Sequence, residues 1–145
     1  MNTKIRIGVV GCRNFNNYEF IKNYINRFLN KNNTIHEDVI IVSGGAKGVD
    51  TLAERYAIEY NIPIDIYKAE WNNFNHPCKI KHNENGKYNA LAGFNRNKDI
   101  VKNSDIILAF WDGKSKGTEN TIMVADDLNK NCIIIELPNI ENTSK

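Results

Sequence analysis

Short apolar runs alternate with longer stretches of helical period along the whole chain. Ile5–Val10 is apolar apart from Arg6 and reads as a first strand. Tyr18–Leu29 carries Phe20, Ile21, Tyr24, Ile25, Phe28 and Leu29 at helical spacing, which gathers them on one face. Val39–Val42 is a β-branched run and reads as a buried second strand. Val49–Tyr60 returns to the helical period through Val49, Leu52, Ala53, Tyr56, Ala57 and Tyr60. Ile62–Tyr67 is a third strand, and its Pro63 fits the start better than the middle because proline has no N–H for a ladder. Glu70–Lys87 is polar and irregular and reads as a long loop, a kind of segment that often carries function. A helix near Ala90–Asn103, a continuously apolar strand over Asp105–Trp111, a helix over Thr118–Lys130 and a fifth strand over Cys132–Leu137 follow. Residues 138–145 read as a flexible C-terminal tail.

Such alternation predicts an α/β fold: a mainly parallel five-stranded sheet with helices on both faces, in one domain over residues 1–137. Right-handed crossovers bring every strand-to-helix turn to one edge of the sheet. Ligands of these sheets lie beyond the carboxyl ends of the strands, where the strand order reverses. The turns Gly11–Asn17, Ser43–Asp50, Ala69–Asn75 and Asp112–Thr118 are therefore expected to converge.

Composition narrows the function classes. The 145 residues suit one domain with no room for a second. Hydrophobic residues make up 41% and charged residues 25%, which fits a globular chain and excludes wholesale disorder. With 19 Lys+Arg against 17 Asp+Glu, the net charge of +2 excludes a broad duplex-gripping surface. No apolar run approaches the roughly 18 residues of a membrane span, and no signal peptide is evident, so no membrane partner and a cytoplasmic location are expected. The cysteines Cys12, Cys78 and Cys132 are odd in number and widely spaced, as reduced thiols would be.

The informative chemistry sits in the turns. Ser43-Gly44-Gly45-Ala46-Lys47-Gly48-Val49-Asp50 leaves a buried strand and enters a helix. Glycines bare the backbone N–H groups there, and the helix N-terminus adds partial positive charge, which together suit a phosphate. The segment matches neither the P-loop nor the usual dinucleotide fingerprint. Asp50 reads first as a carboxylate favoured in a first helical turn, with ribose-hydroxyl binding second. Asp112-Gly113-Lys114-Ser115-Lys116-Gly117-Thr118 repeats the logic, with Ser115 and Thr118 placed to cap the helix or bond a phosphate. Arg13, just past the first strand, offers a planar cationic fork. Arg13, Lys47, Lys114 and Lys116 fall on these turns with Arg96 near them, so the ligand edge is basic while the rest is balanced.

At these residues the chain resembles a family. Gly11-Cys12-Arg13-Asn14-Phe15, Ser43 through Asp50, Ala92-Gly93-Phe94-Asn95-Arg96-Asn97 and Phe110 through Thr118 resemble, in order, the YspA-like branch of the SLOG superfamily, which is related to the LOG phosphoribohydrolases and to DprA. The resemblance runs from Ile5 to about Leu137. It implies a Rossmann-like fold, a nucleotide-derived ligand such as ADP-ribose, an NAD derivative or a cyclic nucleotide, no required cofactor, and a homo-oligomer. Ligand contacts would come from Gly11, Cys12, Arg13, Ser43, Gly44, Gly45, Lys47, Gly48, Asp50, Trp71, Arg96, Asn97, Gly113, Lys114, Ser115, Gly117 and Thr118. The LOG pattern Pro-Gly-Gly-x-Gly-Thr-x-x-Glu departs here: Gly117-Thr118 matches its Gly-Thr, and Thr121 stands where its catalytic Glu would be. A hydroxyl does not stabilise a developing ribosyl cation as a carboxylate does. Arg96 matches the LOG arginine, but Asn97 follows it in place of Lys.

The reading favours a stand-alone module that senses or sequesters a nucleotide-derived ligand. The alternatives are a LOG-like N-glycosidase or other nucleotide hydrolase, served by Arg96, Asp50 and Glu119, and DprA-like binding of single-stranded DNA, which the charge disfavours. Cys12 reads as a small buried side chain ahead of a catalytic thiolate. Trp71 would stack on a base or cover the sheet, and Trp111 reads as core. His76, Cys78 and His82 lack a fourth ligand at metal-binding spacing, so no metal is expected.

Overall fold

The computed structural model describes residues 3–75 and 77–138; His76 and the stretch 139–145, most of the expected tail, lie outside the described residues. The elements run β1 (Ile5–Gly11), α1 (Tyr18–Lys31), β2 (Val39–Ser43), α2 (Val49–Glu59), β3 (Ile64–Ile66), β4 (Ile80–Asn83), β5 (Gly86–Asn89), α3 (Ala92–Lys102), β6 (Ile106–Trp111), α4 (Lys116–Asp127) and β7 (Asn131–Glu136). Five strands form one parallel sheet in the order β3-β2-β1-β6-β7. This is the Rossmann-like α/β arrangement expected from the alternation.

Alternate residues of the central strands feed two cores. Ile7 and Val9 of β1 and Leu108 and Phe110 of β6 pack with Ile21 and Ile25 of α1 and Ala53 and Tyr56 of α2. Val10, Ile107 and Ala109 face the other way and pack with Ile100 and Val101 of α3 and Ala125 of α4. The two-residue period of a strand sends neighbouring side chains to opposite faces. Both faces of β6 are covered, hence its unbroken apolar run.

Two elements differ from the sequence reading. The third strand starts at Ile64, not Ile62: Pro63 lends its carbonyl to Ile41 N–H at 3.0 Å but has no N–H to continue the ladder. The stretch read as a loop over Glu70–Lys87 contains an antiparallel hairpin, β4 with β5. Every residue of β4 is exposed, so there was no apolar alternation to find. Its turn is closed instead by Gly86 at φ 111 and by Asn85 N–H donating to Asn83 Oδ1 at 2.9 Å.

Among the described residues, no helix is long and apolar enough to cross a membrane. Cys12, Cys78 and Cys132 are all free thiols.

Candidate functional site

The strand order reverses between β1 and β6, and there a cleft of about 380 Å³ opens at the carboxyl edge. Its walls include Gly11, Arg13 and Asn14 after β1, Ala46 and Asp50 after β2, Arg96 and Asn97 of α3, and Asp112 through Thr121 after β6. Three of the four turns expected to converge do so here. The fourth lies alongside: Ala69 and Trp71 line an adjoining depression of about 400 Å³ together with Gly44, Gly45 and Lys47.

The first turn holds its own N–H groups. Gly45 N–H donates to Ser43 Oγ at 3.2 Å, and Ala46 N–H donates to Asp50 Oδ2 at 3.2 Å. Ser43 is fully buried, and its hydroxyl donates to Glu54 at 2.8 Å. Gly48 has φ 77, and a Cβ there would stand 2.3 Å from the Cys12 carbonyl oxygen. Its glycine serves the backbone contact between the loops after β1 and β2, which Val49 N–H seals by donating to Cys12 O at 3.2 Å. Gly45 N–H and the Ser43 hydroxyl, both expected to meet a phosphate, are thus bonded within the protein here. The anion position of this loop is taken by the protein's own carboxylate, Asp50.

Asp50 is 5% exposed. Burial pushes its carboxyl up to about 6, against the pull of the Ala46 N–H and of Arg96. Arg96 stretches from α3 across the edge of the sheet, donating from Nη1 to the Gly44 carbonyl at 2.8 Å and from Nε to Asn97 Oδ1 at 3.1 Å. Asn97, 7% exposed, donates onward to Asn120 Oδ1 at 2.9 Å. Its polar atoms are committed within the protein, so it positions Arg96 and α4 and offers no free donor to a ligand.

The second turn divides its donors. Asp112 Oδ1 accepts from Lys114 N–H at 2.9 Å and Ser115 N–H at 2.8 Å. Burial alone would raise the Asp112 carboxyl, but these N–H groups outweigh it and hold it below the usual carboxylate range. Gly113 takes φ 81 to close the loop. The first backbone bond of α4 runs from Glu119 N–H to Ser115 O at 3.1 Å, and Ser115 gives no side-chain cap. The N–H groups of Gly117 and Thr118 therefore stand open on the cleft, as unsatisfied donors do at a helix start. A Cβ on Gly117 would meet nothing within 4 Å, so the approach is clear. Among the described residues, Arg13, Arg96, Lys47 and Lys114 have no carboxylate within salt-bridge distance, whereas Lys116 lies 3.8 Å from Glu119.

Other candidates fall into place. Cys12 is 1% exposed, and burial followed by the nearby Asp112 charge pushes its thiol up, the reverse of what a nucleophilic thiolate needs. Glu119 is not among the cleft residues. Thr121 is, but its hydroxyl donates to the Gly117 carbonyl at 3.1 Å. Trp111 is half-buried, not core, and its indole N–H donates to Ser115 O at 3.0 Å. Phe15, 4% exposed, pins the loop carrying Arg13 by packing edge-on against Phe20 at 5.6 Å. Among the described residues, no three His, Cys, Asp or Glu side chains gather as a metal site.

Sequence reasoning missed Asn89. Fully buried, it accepts from Lys79 N–H at 3.2 Å and Leu91 N–H at 2.9 Å, and donates to Asn73 O at 3.0 Å and Pro77 O at 3.1 Å. It knits the hairpin segment bearing Trp71 to the start of α3. In a chain this rich in asparagine, nothing local set it apart.

The chain is 28% identical over 93 residues to the Gene 61 protein of Mycobacterium phage D29, covering 60% of this chain and 63% of that protein. Among solved structures it resembles DNA processing protein A of Helicobacter pylori, a single-stranded-DNA-binding protein, with a TM-score of 0.64 at 19% identity over 95% of this chain and 68% of that one. It also resembles the Moco carrier protein of Chlamydomonas reinhardtii, with a TM-score of 0.56 at 16% identity over 97% of this chain and 82% of that one. At such identities the likeness is one of fold. The profile of the YspA, cpYpsA-related SLOG family matches residues 5–74, which hold β1, β2 and both of their glycine-bearing turns. Over that stretch, just under half of its length, the chain is similar to the YspA, cpYpsA-related SLOG family.

Proposed function

We propose that the chain binds a nucleotide-derived small molecule by its phosphate at the β1/β6 edge, as a cytoplasmic sensing or sequestering module. The observation that carries this is the pair of open N–H groups of Gly117 and Thr118, facing a cleft that also holds the unpaired guanidiniums of Arg13 and Arg96. N–H donors at a helix start plus planar cations are a phosphate environment. The cleft falls within the range of small-molecule sites, about 300–1,000 Å³. No cofactor is needed for binding, and the single domain and a homo-oligomeric state belong to the same reading. Calorimetry against ADP-ribose, NAD, AMP and cyclic dinucleotides tests it. A sub-millimolar ligand is expected, and folded protein that binds none of the panel ends the proposal.

A second reading, hydrolysis of a bound nucleotide, draws on Asp50, a buried carboxylate on the cleft held near pH 6. Thr121 in place of a LOG glutamate weighs against it. Chromatography of a nucleotide panel after incubation at high protein concentration decides, and unchanged substrates reject it. Single-strand DNA binding draws support from the Helicobacter pylori protein and from exposed Arg13, Lys47 and Lys68 along one edge. Anisotropy with a labelled strand across a salt series tests it, since phosphate-driven binding weakens steeply with salt.

A further inference from the structure

The main cleft and the adjoining depression share Arg13, Ala46 and Arg96, which form the ridge between them. The two hollows are of similar size, about 380 and 400 Å³. Their chemistry differs. One side offers the open N–H groups of α4; the other offers an indole face, Trp71, which is 44% exposed although it is a large aromatic ring. Exposed tryptophan is costly to leave in water and well suited to stacking on a base. The ring is also held in place. Its Cη2 lies 3.6 Å, and Arg96 Nη2 4.0 Å, from the point where Gly93 would carry a Cβ, so indole and guanidinium lie on one side of α3. The Trp71 carbonyl is pinned by Asn89 N–H at 2.6 Å.

We infer that the ligand is two-lobed: a dinucleotide whose bridging phosphates lie on the Arg13–Arg96 ridge, with one nucleoside in the cleft and the second base stacked on Trp71. This rests on the nucleotide reading of the cleft and names its ligand class. Two cations at the ridge match an anionic linker, and a mononucleotide would leave the second hollow unused.

The test compares ADP with NAD by calorimetry on the full chain. Both carry adenosine and a diphosphate, and only NAD carries a second nucleoside. ADP bears more negative charge, so electrostatics favour it, and a preference for NAD has to come from the second lobe. NAD is expected to bind at least ~tenfold tighter, the scale of one base–aromatic stack, and cyclic di-AMP is expected to show the same advantage over AMP. Trp71→Ala should bring both ratios to within about twofold, and Trp71→Phe should retain part of them, with thermal unfolding confirming that both variants fold. Equal affinity for the matched pairs, or ratios unaffected by Trp71→Ala, overturns the two-lobed ligand alone. No binding of any of the four below 1 mM overturns the cleft reading with it. A 12-nucleotide single strand is the remaining arm: affinity that climbs with strand length past two nucleotides overturns a discrete dinucleotide.

Discussion

Arg96 Nη1 donates to the carbonyl of Gly44 at 2.8 Å, joining α3 to the loop after β2 across 52 residues of sequence. The same guanidinium borders both hollows of the candidate site. Burial lowers its pKa and the Asp50 charge opposes that shift, and the guanidinium stays cationic throughout.

Arg96→Ala removes the bridge and the charge together. Expected are a loss of about 1–3 kcal/mol in stability, the scale of a hydrogen bond to a charged group, and a fall of tenfold or more in nucleotide affinity. Arg96→Lys keeps the charge but loses the fork that reaches Gly44 and Asn97 at once, so it should recover less than half of the lost binding free energy. Chemical denaturation and calorimetry on both variants check this.

Asp50 should make stability depend on pH. Its carboxyl titrates near 6 in the folded chain against an ordinary 3.8. Between those values the folded state holds more protons than the unfolded one, so stability falls as pH rises through the window. Above it, the ionised buried group is a standing cost. Asp50→Asn keeps an oxygen for the Ala46 N–H and removes that cost. It is expected to be more stable than the parent near pH 8, by on the order of 1–3 kcal/mol, with the gap closing towards pH 4. A variant destabilised equally at every pH would contradict this assignment.

The two glycines Gly48 and Gly117 should respond in opposite ways. Gly48→Ala forces a Cβ to 2.3 Å from Cys12 O at φ 77 and is expected to cost at least about 2 kcal/mol. Gly117→Ala meets no neighbour within 4 Å and sits in a helix, where alanine gains up to about 1 kcal/mol. Gly117 lines the cleft, however, so the added methyl is expected to crowd a ligand held there. Ligand affinity should drop by about tenfold, the effect of about 1–3 kcal/mol of steric strain, while the melting temperature holds or rises.

Asn89→Ala leaves the N–H groups of Lys79 and Leu91 without their acceptor and the Asn73 and Pro77 carbonyls without their donor. A cost of about 1–3 kcal/mol is expected. In hydrogen exchange, those two amides should lose protection while the amides of β1 and β6 keep theirs.

The element order was legible because hydrophobic period is a local property. The apolar run of β6 and the stripe of α1 each announce themselves within a dozen residues, and strand-helix alternation then leaves few ways to wind the sheet. The hairpin of β4 and β5 was not legible, because four exposed residues in β4 leave no apolar signature and its hold on the fold passes through one asparagine.

For the site, the sequence by itself determined which turns reach the carboxyl edge and that they are rich in glycine and cations. Only the tertiary structure decided which donors remain free. Asp50 and Asp112 fold back onto the turns beside them and take up their N–H groups, leaving the start of α4 open. Arg96 crosses from a helix 52 residues away to stand between two hollows that no local pattern encodes. Hydrogen-bond capacity is a property of a residue, but whether that capacity is already spent depends on which groups the fold brings within about 3 Å.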